Sequence, residues 1–286
     1  MNTHVKSTWL SLCILSCLVF LQSSRADPAD IAALKQTART SACAAHDWIG
    51  RGRAPATFVE GVALVFARSV CHADRKDVKV VSAAVDASKT NTDALAWYDR
   101  KFRALGMRND SPGLDTLRHS YVLLLGLGMM ESSGKYCEGR DVSECFDEAD
   151  SAEAGPFQTS YGARKSNPAL DELFQHYSTN QDGCMLDQFK GNFSCPIRKS
   201  HNAQCPDATS DIVGTGPGAD WQKLTKSCPA FATEYAAVVL RTSGGKKGEF
   251  NPVRKQQAEV VPACDAMLET IQKSVQQNPA ACAALE

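Results

Sequence analysis

The residues with the most chemical potential gather around one acid. Glu131 closes an apolar run from Tyr121 to Met130, and Ser132-Ser133-Gly134 follows it as a helix stop. Counting back three, four, seven and fourteen residues from Glu131 reaches Gly128, Leu127, Leu124 and Leu117, which share its face on a helix. A carboxyl group in apolar surroundings loses the hydration that stabilises its charge, so its pKa rises. Held protonated near neutral pH, such a group can donate a proton as a general acid. The plainer reading of the same residues is a core helix whose last side chain reaches water.

The elements that must position this acid read as helices. Leu114 to Met130 is the helix that leads up to it. Earlier in the chain, Asp27 to Arg53 has helical spacing through Ile31, Ala32, Leu34 and Ala38. Pro55 opens a second helix that runs through Phe58, Val62, Val65 and Phe66 to Cys71. A third is expected from Asp93, with Leu95, Tyr98, Phe102 and Leu105 on one face and Gly106 as its stop. Residues 132–154 are polar and rich in acids, among them Glu138, Asp141, Glu144, Asp147, Glu148, Asp150 and Glu153, which suits a solvated loop. The only strands are expected within 135–160. Asn167-Pro168 begins another helix, and 182–218 reads as a cysteine-, Gly- and Pro-rich loop insertion. Trp221 to Arg241 is predicted as one long helix, and a last helix starts at Asn251-Pro252 and ends before Pro279.

Bulk composition narrows the function classes. The chain has 286 residues, is 43% hydrophobic and 22% charged, and carries a formal net charge of -1, as ordinary soluble globular proteins do. It lacks the basic excess that phosphate binding needs, so nucleic acid is not an expected partner. Lys6, the apolar stretch Ser7 to Leu21 and the small residues of Ser24-Arg25-Ala26 predict a signal peptide over 1–26 and a secreted or periplasmic protein. That stretch is shorter than the ~20 residues a bilayer span needs, so no stable membrane anchor is expected. An uncleaved anchor and a lipid-modified Cys17 are the alternatives. Removing the segment takes Cys13 and Cys17 and leaves an even set of cysteines, read as up to five disulfides. Cys43–Cys71 would staple the first two helices, and Cys137 and Cys145 are near enough in sequence to close a small loop. No Cys-x-x-Cys pair and no closely spaced His pair occurs, so no metal is expected.

Two short segments carry a resemblance. Glu131-Ser132-Ser133-Gly134, ending an apolar helix, resembles the Glu-Ser motif of lysozyme-like lytic transglycosylases and goose-type lysozymes. Gly155-Pro156-Phe157-Gln158 resembles the Gly-Leu-Met-Gln motif of the same proteins. Phe231 to Arg241 is similar to a later helix of that fold, where a Tyr, here Tyr235, closes the cleft. The resemblance covers residues 114–265. The stretch between Glu131 and Gly155 is longer than transglycosylases usually have, and the extra length holds Cys137 and Cys145. The resemblance implies a mainly α fold: a lysozyme-like helical domain over 114–286 with a small irregular or β-hairpin segment, an N-terminal helical extension over 27–113, and disulfide stabilisation.

The same resemblance implies cleavage of the β-1,4 bond of peptidoglycan by a monomer without cofactors. Glu131 would be the general acid/base, with Ser132 orienting it and Gly155, Phe157, Gln158, Tyr161 and Tyr235 at the sugar. A lysozyme uses a second carboxylate to activate water. A lytic transglycosylase lets the substrate's own 6-hydroxyl attack and leaves a 1,6-anhydro sugar. Goose-type lysozymes place one acid two residues after the Gln of the motif, a position that is Ser160 here. Of the acids before Gly155, Glu153 is the best placed to be a second catalytic carboxylate. A chitinase or chitosanase of the same fold, and a non-catalytic disulfide-rich binding protein, are the competing expectations. A serine hydrolase is disfavoured because Gly-x-Ser-x-Gly is absent. Cysteine nucleophile chemistry is disfavoured by an oxidising compartment.

Overall fold

The computed structural model of the chain describes residues 28–139, 148–192, 194–197 and 210–285. The expected signal peptide, the acids Asp141, Glu144 and Asp147, and Cys145 and Cys205 lie outside the described residues. The architecture is mainly helical. In order, it runs α1 (Pro28–Arg39), a hairpin of β1 (Asp47–Trp48) and β2 (Gly52–Arg53), α2 (Ala56–Cys71), α3 (Lys76–Val81), α4 (Ala94–Trp97), α5 (Asp99–Ala104) and α6 (Leu114–Ser132). A second antiparallel hairpin follows, β3 (Glu153–Ala154) and β4 (Thr159–Ser160). The chain closes with α7 (Pro168–Thr179), α8 (Leu186–Phe189), α9 (Pro217–Ser227), α10 (Pro229–Ser243), α11 (Asn251–Arg254), α12 (Pro262–Gln277) and α13 (Ala280–Ala283).

Several elements differ from the sequence expectation for local reasons. The helix expected over 27–53 stops at Arg39, and the Gly50–Gly52 turn makes a hairpin outside the region where strands were expected. The helix expected from Asp93 is two, because Tyr98 takes bridge-region dihedrals (φ -94, ψ 2). The long helix expected over 221–241 breaks at Cys228 (φ -127, ψ 76). Pro229 has no N–H to continue the ladder and pushes the residue before it out of the helical region. The last helix likewise divides into α11 and α12, with Pro262 opening the second.

One hydrophobic cluster joins residues from both sides of position 113, including Leu34, Phe58, Val62 and Phe66 with Leu124, Phe231, Val239 and Ile271. Helix α6 is central, packed by α2, α3, α10, α11 and α12. Phe58 and Val62 are fully buried, and each such side chain contributes about 1.5–3 kcal/mol through area removed from water.

The disulfide expected between Cys43 and Cys71 is not formed. Cys43 bonds Cys264 and Cys71 bonds Cys282, so the first helices are fastened to the last ones. Geometry forbids the expected pair. The Arg39–Glu60 ion pair at 2.7 Å sets the end of α1 beside the first turns of α2. Cys71 is eleven residues further on, about 16 Å along the helix, beyond the reach of a disulfide. Cys137 bonds Cys195 rather than closing a loop with Cys145, and Cys184 bonds Cys228.

A buried ion cluster ties α2, α7 and α10 together. Glu234 accepts from Arg68 Nη2 at 2.9 Å, Arg75 Nη2 at 2.7 Å and the Tyr177 hydroxyl at 2.9 Å. Burial, the largest influence, works against its charge. The charges of Arg68 and Arg75 and the hydrogen bonds from Arg75 and Tyr177 together outweigh it and hold the carboxyl at about 2, below its ordinary 4.5. Because the folded value is the lower one, ionised Glu234 stabilises the fold fully above about pH 4.5, and that stability drains away as pH falls toward 2. Glu234→Gln is expected to cost about 3–5 kcal/mol by leaving buried guanidinium charge uncompensated. It should also flatten the stability–pH curve between pH 4.5 and 2. Urea unfolding across a pH series checks both.

Candidate functional site

The site is built where α6 ends. Glu131 lies in the last turn of α6 and is half-buried. Ser133 adopts the left-handed conformation (φ 55, ψ 33) that closes the helix, and its N–H donates to Met129 O at 3.1 Å. A guanidinium N–H of Arg51, from the first hairpin, donates to the Met130 carbonyl. The N-terminal segment therefore reaches the end of α6 beside Glu131. That hairpin is itself anchored, with the Ile49 N–H donating to Glu259 Oε1 at 2.7 Å.

Ser132 joins this helix end to the second hairpin. Its hydroxyl proton is shared between Pro156 O at 2.8 Å and Gly128 O at 3.0 Å, and its oxygen accepts the Lys135 N–H at 3.1 Å. The Gly155 N–H donates to Glu138 O at 2.9 Å, a second tie between the hairpin and the segment after Glu131. Two glycines make the close approach possible. A Cβ on Gly128 would lie 2.5 Å from a Phe58 ring carbon and 2.9 Å from one of Phe157. Gly155 has φ +78, and a Cβ there would lie 2.3 Å from Thr225 Cγ2 on α9. Glycine is the residue that tolerates both demands.

The remaining candidates divide into two groups. Glu153 is half-buried on β3, opposite Ser160 in the hairpin register. Tyr161 is largely buried, with its ring edge-on to Phe174 and the Arg164 guanidinium 4.2 Å from its centroid. Gln158 is buried with φ 46, and its amide donates to Gly139 O and Gly155 O, each at 2.9 Å. It thus holds the turn closed from inside. Phe157 is 1% exposed and Tyr235 0% exposed, so neither offers surface to a sugar here, contrary to their expected place at the substrate. Both act from behind the site. Phe157 packs on Phe58. Tyr235 donates its hydroxyl to Ser160 O at 3.1 Å, and its phenol is pushed up by burial and then by the nearby Glu249 charge.

Two groups were missed by sequence reasoning. Arg51 had no motif around it. Glu249 accepts a hydrogen bond from Ser160 Oγ at 2.7 Å across 89 residues of sequence, a separation over which no local pattern carries a signal. A cavity of about 500 Å³ lined by Ile31, Leu64, Met185, Leu186 and Leu285 contains none of the candidate residues. Among the described residues, no group of three or more His, Cys, Asp or Glu gathers as a metal-ligand set, and no helix is long and apolar enough to cross a membrane. The four disulfides among the described residues are those an oxidising compartment permits.

No family model matches the chain, and neither a curated protein nor a solved structure is detectably similar to it.

Ser132→Ala removes the bond to Pro156 O and the acceptor for Lys135 N–H. It is expected to lower stability by about 1–3 kcal/mol, the usual range for stranding buried polar partners. The urea midpoint measures this, and an unchanged midpoint would show that the helix end and the hairpin are held together without Ser132.

Proposed function

We propose that the chain is an exported glycan-cleaving enzyme that acts on the β-1,4 bond of peptidoglycan, with Glu131 as its general acid. One observation supports this reading above the others: the Ser132 hydroxyl bonded to the Pro156 carbonyl. It brings the acid-bearing helix end against the turn of Gly155 to Gln158, the two segments that resemble glycan-cleaving motifs. Cleavage of a glycosidic bond needs a proton delivered to the leaving oxygen and room for an oxocarbenium-like centre. A half-buried carboxyl group at the end of a rigid, buried helix suits the first need. Positional rigidity matters because proton transfer depends on heavy-atom distances of about 2.6–3.2 Å. The disulfides that fasten both ends of the chain suit work outside the cytosol.

The protein lacking residues 1–26 is expected to release soluble fragments from purified peptidoglycan. Glu131→Gln is expected to lower that rate by about 10²–10⁴-fold, the usual contribution of a general acid, with its melting temperature kept. Mass spectrometry of the fragments separates the chemistries: a terminal sugar lighter by one water marks a transglycosylase, and a free reducing end marks a lysozyme. Failure of the unmutated protein to release fragments would refute the reading, and cleavage of chitin or chitosan alone would move it to those polymers.

A further inference from the structure

Hydrolysis, as distinct from internal attack by the sugar, needs a group to take a proton from water. Glu249 lies in the connection between α10 and α11, and its Oε1 accepts the Ser160 hydroxyl at 2.7 Å. Ser160 stands opposite Glu153 in the hairpin. Residues directly opposed across an antiparallel pair project from the same face, with Cβ atoms about 4.5–5.5 Å apart. Glu153 and Ser160 therefore project from one face of the hairpin whose turn is bonded to Ser132, and Glu249 meets that face at the Ser160 hydroxyl. Ser160 is fixed from the other side by the Tyr235 hydroxyl on its carbonyl.

The pairing of Glu249 sets it apart. Glu60, Asp77, Asp93 and Glu234 are buried acids, and each is matched to a guanidinium: Arg39, Arg75, Arg241, and Arg68 with Arg75. Glu249 is half-buried, makes no ion pair among the described residues and takes a neutral hydroxyl. The nearby Arg254 forms no ion pair with its carboxylate. Its Nη1 donates instead to the backbone carbonyls of Gly248 and Glu249, each at 2.6 Å, which pins the loop that presents the acid. A carboxylate oriented by a hydroxyl and not locked into a guanidinium pair is placed to take a hydrogen bond from a water molecule, which is the geometry a general base needs.

We propose that Glu249 is the general base of the reaction and Ser160 its positioning residue, an assignment that rests on the glycan-cleaving reading above. The oxygen of a water molecule forms a bond to the anomeric carbon while its proton passes to Glu249. The bond from that carbon to the glycosidic oxygen breaks, its electron pair stays on the departing oxygen, and that oxygen takes the proton of Glu131. Solvent then removes the proton from Glu249 and returns one to Glu131. The product is a free reducing sugar of inverted configuration, and the enzyme is a hydrolase.

The test digests peptidoglycan in ¹⁸O-water with the unmutated protein, Glu249→Gln, Glu249→Asp and Glu249→Ala, each checked by circular dichroism and melting. The unmutated protein is expected to place one ¹⁸O at each new reducing end. Glu249→Gln should lower kcat by about 10²–10⁴-fold with little change in KM, and Glu249→Asp should recover part of the rate. Added azide, a nucleophile that needs no deprotonation, should restore turnover to Glu249→Ala and give a glycosyl azide, which a merely structural defect would not allow. Hydrolysis by Glu249→Gln at the unmutated rate overturns this assignment alone. So does a 1,6-anhydro product from the unmutated protein, since no water is then activated. Absence of any cleavage by the unmutated protein overturns the glycan-cleaving reading, and this assignment with it.

Discussion

Helix α6 is buried from Thr116 to Met129, and covering it dictates much of the rest of the fold. Its apolar surface is met on every side by α2, α3, α10, α11 and α12. A helix enclosed in this way cannot leave its final carbonyls to water, because an unpaired buried carbonyl costs about as much as a lost hydrogen bond. The protein itself must supply donors at that end. Arg51 reaches the Met130 carbonyl, the Ser133 N–H reaches Met129 O, and Ser132 and Gly134 reach Gly128 O. The concentration of polar groups around Glu131 thus follows from enclosing the helix, and a second hairpin is drawn to the same place by Ser132.

Charge inside the protein is used in two ways. Deep carboxylates are neutralised by guanidinium groups and serve as ties between elements, as Glu234 ties α2, α7 and α10. Such ties make packing specific to one arrangement, and in Glu234 the paired charges hold the carboxyl at about 2, with no proton to exchange near neutral pH. The acids at the end of α6 and on the second hairpin lie nearer the surface. The long-range disulfides Cys43–Cys264 and Cys71–Cys282 close loops of 221 and 211 residues, so they constrain the unfolded chain strongly and hold the first and last helices together. The N-terminal helices are in this way integral to the core that carries Glu131.

Local signals in the sequence were legible where one residue type had one structural consequence. The α6 periodicity, the stop at Ser133-Gly134 and the turn at Gly155 are all of this kind. Pro229 was an equally plain signal for a break at Cys228, and helical spacing on both sides of it masked the break. The bend at Tyr98 carries no such mark, since Tyr is tolerated in helices. Disulfide partners could not be read, because Cys43 and Cys264 stand 221 residues apart in sequence and are brought together by tertiary packing. The candidate site divides the same way. Glu131 and Ser132 announce themselves by position on a helix, whereas the Ser160–Glu249 bond joins segments that no periodicity links. Burial corrected the sequence reading from the opposite direction, because the resemblance placed Phe157 and Tyr235 at the sugar and packing walls both off.

The central claim is that the carboxyl group of Glu131 addresses a glycosidic oxygen. A crystal structure of Glu131→Gln with a trapped peptidoglycan oligosaccharide tests it most directly. The account predicts an intact bond between two sugars with its oxygen about 3 Å from the side-chain amide of residue 131, seated between the end of α6 and the second hairpin. An oligosaccharide bound with residue 131 remote from every glycosidic oxygen would contradict it.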